Sequence, residues 1–318
     1  MRSMRIPVAA SADSDAGRRA AGRFARTLAR VRLPYLLLLP AMLVLAVFMF
    51  YPLVYTVYLS FFDWNMVSPN REFVGLGNYI AMFSDSNFLK ILGNTGAYIF
   101  LLLLFNFVAP YVFSFILSFV VRRGKAFYKG TIFLPSVISL VVGTMIFVWL
   151  VNPISGPAAQ LAHSLGMRLP VWSTTQGLVI VVISIMTSWK LFGYNFIISL
   201  SGVGGVPLEV VEAARLDGIP LRKIFFDIVL PMSSSTGIYV LILSIVQGMQ
   251  QVFTPINMIT KGGPDYGSSN LIYNVYNEAF NFYHTGSASA YAIVMMVLFV
   301  VLLLLEFKYV ERGIYYEN

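Results

Sequence analysis

Six apolar stretches decide what this chain can fold into. They run from Leu33 to Leu59 and over 96–121, 131–151, 178–200, 234–257 and 288–308. Each is near the ~20 residues that a helix needs to cross hydrocarbon. No water is available there to pair backbone N–H and C=O groups, so each stretch is read as an α-helix. No intervening segment is long enough for a soluble domain of ordinary size. The expectation is an all-α integral membrane protein whose six transmembrane helices form one domain over 33–318. Composition agrees, with 11% charged residues against about 25% in soluble domains. Pro34, Pro40, Pro52 and Pro110 fall in or near these spans, where they can kink helices that neighbours re-satisfy.

The first apolar run is far longer than the ~7–15 residues of a signal-peptide core, and no small-x-small site closes it. It is therefore read as the first span. Residues 1–32 carry eight Arg against Asp13 and Asp15 and few large apolar side chains, which predicts a basic, mostly disordered tail. Lys and Arg assign the sides. With the N-terminus inside, seventeen of the 22 fall in the tail, in Arg122–Lys129, in the 201–233 loop and at the C-terminus. Four (Arg71, Lys90, Arg168, Lys261) fall outside, and Lys190 lies within a span. Positive charge collects on the cytoplasmic side, so both termini and the 201–233 loop are placed there. The net charge of +8 thus follows membrane sidedness and does not point to nucleic acid.

Pro207 to Pro231 is the one polar-rich interruption in the second half with helical design. Pro207 suits a first helical position, Glu209 and Glu212 favour the dipole of a first helix, and Val206, the expected cap, supplies no side-chain acceptor. Gly218 suits a left-handed helix end, and Pro220 limits the helix. A second helix over Leu221 to Val229 follows, and Pro231 is expected to interrupt the chain. Ala213 and Ala214 are small enough to let another surface approach. An ordinary helix–turn–helix on a membrane surface would read the same way.

The spacing is more specific. Glu212-Ala213-Ala214, three residues, Gly218, nine residues, then Ile228-x-Leu230-Pro231 resembles the EAA signature of permease subunits of ABC importers, and EAARLDG, ending in Asp217-Gly218, is similar to the carbohydrate branch. Phe73-Val74-Gly75-Leu76-Gly77-Asn78-Tyr79 and Thr260-Lys261-Gly262-Gly263-Pro264 resemble two further elements of that branch. Leu271 to Phe280 and the ending Phe307-Lys308-Tyr309-Val310-Glu311-Arg312 are similar to its glycerol-phosphate/sugar group. The resemblance, to type I ABC importers, covers most of 33–318. It implies a cytoplasmic coupling loop (Glu212, Ala213, Ala214, Asp217, Gly218, Ile228, Leu230, Pro231) docked on an ATPase. It also implies a second permease subunit, two ATPase subunits that bind the ATP and Mg2+, an external solute-binding protein, and a place in a bacterial plasma membrane. This chain would carry no cofactor of its own.

No GxxxxGK[ST] phosphate loop, HExxH or nucleophile–base set is present, so hydrolysis is not expected of this chain. The absence of Cys and two isolated His leave no zinc ligand set. A membrane enzyme, or a channel or receptor, are the readings of another class, and the missing catalytic groups count against the first. The informative polar residues lie inside spans. Gln247, Gln250, Gln251 and Thr254 sit at i, i+3, i+4 and i+7 in the fifth, on one face. Such a stripe lines a path or bonds neighbouring helices. Trp189, Lys190, Tyr194 and Asn195 lie near the middle of the fourth. Lys190, nominally ~2.5–3.5 kcal/mol to insert, needs water or a partner, or snorkels to the interface. Resemblance to the maltose permease along WKLFGYNF and back from Gly262-Gly263-Pro264 implies ligand contacts at Trp189, Gly193, Phe196, Gln250, Gln251 and Thr254. A neutral oligosaccharide is the leading substrate, with glycerol 3-phosphate or a related phosphodiester second. Because the chain has no Cys, introduced cysteines report sidedness: those at Ser68 and Ser268 should react with impermeant reagents outside intact cells, and one at Ser11 should not. External labelling of Ser11→Cys would reverse the orientation.

Overall fold

The computed structural model describes residues 34–310, with side chains to Lys308. The basic tail, Ser11 and Glu311-Arg312 lie outside the described residues. Five helices are long and apolar enough to cross a membrane: Pro34–Leu59, Ser86–Val120, Leu178–Gly204, Ser234–Thr260 and Thr285–Lys308. A sixth span is a pair, Lys125–Val137 and Leu140–Leu150, bent by 100°. The chain divides into two compact units, 1–58 and 59–318. In the first, the described residues are one apolar helix. The second unit holds everything else.

The third span therefore differs from the single helix expected over 131–151. Pro135 sits in its first half, Ile138 and Ser139 are extended, and Ile138 N–H closes back on the Pro135 carbonyl. A proline removes one helical hydrogen bond and crowds the carbonyl four residues back, so this helix stops within three residues. The second span starts ten residues ahead of its apolar run, at Ser86, because the Asp85 carboxylate accepts the Asn87 N–H and caps it.

Other prolines are carried without a stop. Widened π-helical turns at Ala46–Phe50, Leu104–Val108 and Ile224–Val229 each end two residues before Pro52, Pro110 and Pro231. Just ahead of each proline, the N–H of Tyr51, Ala109 or Leu230 bonds five residues back, to Ala46, Leu104 or Phe225. The wider turn makes room for the pyrrolidine ring. Pro231 consequently does not interrupt the chain as expected. Helix continues over 221–232 and breaks at Ser233.

Pro110 also leaves the Asn106 carbonyl without its i+4 donor. Two other spans supply donors: Asn195 Nδ2 at 2.8 Å and Ser244 Oγ at 2.9 Å. Asn195 Nδ2 also reaches Ser244 Oγ at 3.2 Å, and Asn106 Nδ2 donates to Ser188 Oγ at 2.9 Å. All four side chains are buried. A missing backbone N–H is thus the origin of a polar clamp joining the second, fourth and fifth spans.

At one end, the 261–271 loop is latched to the start of the second span. Lys90 pairs with Asp265 at 2.7 Å, Asn94 donates to the Tyr266 and Ser269 carbonyls, and Tyr98 donates to that of Ser268. Ser268 is fully buried, bonded to Thr260 and Gly263, so the exposed Lys261 replaces it as a labelling position. The Phe73–Tyr79 segment has a structural role. Asn78 donates to the Ser60 and Phe62 carbonyls, and Tyr79 to the Ser60 hydroxyl, which fixes the small antiparallel pair Phe62–Asp63/Glu72–Phe73.

Asn195→Ala should cost about 0.6–2 kcal/mol of stability in the membrane. Because Asn195 and Ser244 share one acceptor, a double-mutant cycle with Ser244→Ala should be non-additive. Additive losses in unfolding of the reconstituted chain would show that the clamp does not act as a unit.

Candidate functional site

The 201–233 loop forms a helix, Leu208–Leu216, a turn, and the second helix over 221–232. Pro207 is the cap residue of the first helix, so the helix starts at Leu208, one residue later than expected, and no side chain caps that end. The other end matches expectation. Gly218 has φ +74°, its N–H bonds the Arg215 carbonyl, and the Ile219 N–H bonds that of Ala214. This is the Schellman closure that glycine permits.

The loop helix has two faces. Val211 and Ala214 are buried with Val206, Ile224, Phe225 and Val229 against Tyr111 and Phe115 of the second span. Glu212, Ala213, Asp217 and Gly218 are exposed, and Leu216 is 90% exposed. The two alanines therefore part company: Ala214 lets the loop sit close on its own chain, and Ala213 faces outward. Ile228 and Leu230 pack against the same core, and Pro231 is half-buried. The surface available to a partner is Glu212, Ala213, Leu216 and Asp217. Leu216, nearly naked and apolar, was missed in sequence because it lies between the motif's defined positions.

The fourth span also has two faces. Ser184, Thr187, Ser188, Asn195 and Ser199 are buried. Lys190 is half-buried, and Tyr194 and Ile197 are exposed. Lys190 and Tyr194, one turn apart, share the open side. Among the described residues the Lys190 ammonium has no hydrogen bond or ion pair; only its carbonyl is engaged, by Ser136 Oγ at 2.8 Å. Gln247, Gln251 and Thr254 are half-buried and Gln250 is exposed. None of these four side chains bonds to this chain among the described residues. The stripe thus makes no interhelical hydrogen bond among the described residues.

Two of the residues implied as ligand contacts are instead packed. A Cβ on Gly193 would lie 2.5 Å from the Ile132 carbonyl oxygen and 2.8 Å from Phe133 Cα. Glycine is required there so that the first half of the broken third span can cross the fourth. Phe196 is fully buried, and its carbonyl accepts from Ser114 Oγ. Trp189 lines a largely apolar cavity of about 480 Å³ with Phe105, Ile132, Phe147, Ser188 and Phe192. Neither Lys190 nor any of Gln247, Gln250, Gln251 and Thr254 lines it. Trp189 therefore turns away from the open polar face and toward the third span, where Phe147 meets it edge-on at 5.2 Å.

Residues 111–314 match the family model described as the binding-protein-dependent transport system inner membrane component. The matched segment contains the loop helices, the clamp residues Ser188, Asn195 and Ser244, and both open polar faces. The chain belongs to that family. Its members are permeases, non-enzymatic components of transport systems, so this is a multi-pass inner-membrane protein and a permease subunit of an ABC importer. This permease is 31% identical over 288 residues to the sn-glycerol-3-phosphate transport system permease protein UgpA of Yersinia enterocolitica, covering 90% of this chain and 96% of that one. The same-named proteins of Brucella abortus and Agrobacterium fabrum are 30% and 29% identical, over 286 and 285 residues, covering 90% and 89% of this chain and 97% and 96% of theirs. The crystal structure of a bacterial ABC transporter involved in the import of the acidic polysaccharide alginate superposes with a TM-score of 0.76 at 20% identity, over 91% of this chain and 99% of that one. A second structure, of the alginate transporter in complex with an alginate pentasaccharide-bound periplasmic protein, gives 0.74 at 20% identity over 89% and 96%. These likenesses bear on fold alone.

In this permease Gly193→Ala should destabilise by about 1–3 kcal/mol, because backbone cannot retreat as a flexible side chain can. Thermal unfolding of the purified variant tests the packing role. Wild-type stability with altered uptake would instead return Gly193 to the ligand path.

Proposed function

We propose that this permease forms one half of the membrane path of an ATP-driven importer for a carbohydrate. The observation that carries the reading is the pair of polar faces, Lys190 with Tyr194 and Gln247 with Gln250, Gln251 and Thr254, at mid-span and unpartnered among the described residues. Facing lipid, such groups are costly. Facing a second permease subunit across a water-filled path, they are hydrated until substrate replaces the water. Gln amides then offer paired donors and acceptors to sugar hydroxyls, and Tyr194 offers a stacking surface. The substrate is read as a neutral oligosaccharide. A second reading, glycerol 3-phosphate or a related phosphodiester, is favoured by Lys190, a point charge suited to phosphate, and by the substrate named for the UgpA relatives.

In this reading both termini are cytoplasmic, in line with the seventeen-to-four distribution of Lys and Arg. The outward face of Leu208–Leu216 docks on one of two ATPase subunits, which bind the ATP and Mg2+, and an external solute-binding protein delivers substrate. Closure of the ATPases pulls the loop. Its buried face, Val211, Ala214, Ile224 and Phe225, passes that motion to the second span, so the coupling and path regions move together.

Reconstituted uptake with the ATPase subunits tests these roles. Gly218→Leu, which forces a branched side chain into φ +74°, should insert normally yet fail to couple hydrolysis to transport. Lys190→Met should abolish phosphate-ester uptake and only weaken sugar uptake, whereas Gln250→Leu with Gln251→Leu should impair sugar uptake most. Wild-type rates and preference in both path variants would move the substrate site elsewhere.

A further inference from the structure

We propose that the cavity between the end of the second span and the turn of the 201–233 loop binds the phosphate headgroup of an anionic phospholipid. The cavity holds about 500 Å³, and it is lined by apolar Phe119, Val120 and Leu221, by Gly218 of the turn, and by Arg122 and Arg215. Arg215 Nη2 donates to the Phe119 carbonyl at 2.7 Å, which fixes the group and leaves its remaining N–H donors unused. Arg122 has no hydrogen bond or ion pair among the described residues. No Asp or Glu lines the cavity. Two like charges beside one void are mutually repulsive until an anion enters, and phosphate oxygens match the guanidinium fork in a bidentate fashion.

Position and apolar wall distinguish the occupant. Val120 is the last residue of the helix and Val121 is extended, so Arg122 is the first charged residue beyond the apolar run of the second span, where basic side chains meet the cytoplasmic leaflet. Val120 and Leu221 are each 43% exposed beside the two arginines. An acidic side chain of an ATPase subunit would neutralise the charge but leave that apolar wall in water. A phospholipid satisfies both, with phosphate on the guanidinium groups and glycerol and upper acyl chain on Val120 and Leu221. Basic pockets at the ends of membrane helices recognise lipid headgroups on these terms. The bound lipid would brace the turn around Gly218 against the second span. The proposal does not depend on what the permease transports.

The test uses the purified full-length chain in detergent, titrated with dioctanoyl phosphatidylglycerol and read as bound adducts by native mass spectrometry. Saturable binding is expected, weakened about fivefold for each arginine removed in Arg122→Gln and Arg215→Gln, and unchanged by Lys129→Gln, an equal charge loss outside the lining. Arg122→Gln alone decides the matter if the double variant does not fold, since that side chain makes no contact the fold needs. Dioctanoyl phosphatidylcholine should bind far more weakly. Competition by millimolar inorganic phosphate that removes the adduct completely would assign the site to free phosphate and overturn the lipid reading. Equal loss in Lys129→Gln, or no loss in Arg122→Gln, would overturn the site itself. If phosphatidylglycerol does not bind and the arginine variants lose ATPase association instead, the cavity belongs to the protein interface.

Discussion

One missing hydrogen organises the membrane-embedded part of this permease. Pro110 cannot donate to the Asn106 carbonyl, and an unpaired carbonyl in hydrocarbon costs several kcal/mol. The molecule does not avoid that cost by dispensing with the proline. It brings Asn195 from the fourth span and Ser244 from the fifth to the same oxygen, while the Asn106 amide turns to Ser188. A local backbone defect becomes a three-helix junction. Lipid gives helices no hydrophobic reason to associate, so directional bonds and close packing must hold them together. The clamp supplies the first, and Gly193 and Gly143, where the broken third span lies against the fourth, supply the second.

The same economy explains the division of polar side chains. On the fourth span, residues that bond within the chain lie on the buried side, and Lys190 and Tyr194 lie on the other. On the fifth span, Ser244 turns inward to the clamp and Gln250 outward. Inward, Asn106, Ser188, Asn195 and Ser244 are tied to one another, while Ser184, Thr187 and Ser199 are buried with no hydrogen-bond partner among the described residues. The outward ones form no hydrogen bond among the described residues, which is why the proposed path is drawn along them.

Much of this was legible in the sequence, for identifiable reasons. The spans are long, so hydrophobicity alone locates them, and their ends were found to within a few residues except where a polar cap such as Asp85 extends a helix beyond its apolar run. The left-handed Gly218 was legible because only glycine fits there without strain. The break in the third span was not anticipated, although Pro135 was a visible signal. Proline has several outcomes in these helices. A π turn ahead of Pro110 or Pro231 absorbs it, Pro255 is carried inside the fifth span with a π turn after it, and the helix around Pro135 ends within three residues. Which outcome occurs depends on packing partners, which periodicity does not report. The close packing at Gly193 and Phe196 was not legible in the resemblance that implied ligand contacts there, because similarity aligns positions, whereas side-chain direction depends on which neighbour crosses there.

The loop is firmly packed on one face and open on the other. Its buried face is an ordinary apolar core, Val211, Ala214, Ile224 and Phe225 on Tyr111 and Phe115, and packed cores transmit displacement because they lack free volume. Its outer face has almost no contacts with this chain, and Leu216 is nearly fully exposed. Displacement of the outer face would pass through the buried face to the second span, and along the chain to the fourth and fifth spans that the loop connects. Tyr111 donates to the Ser233 carbonyl at 2.9 Å, at the break where the fifth span begins. The second and fifth spans meet again at Asn106 and Ser244. The stripe-bearing helix is thus tied to the second span at both its start and its middle.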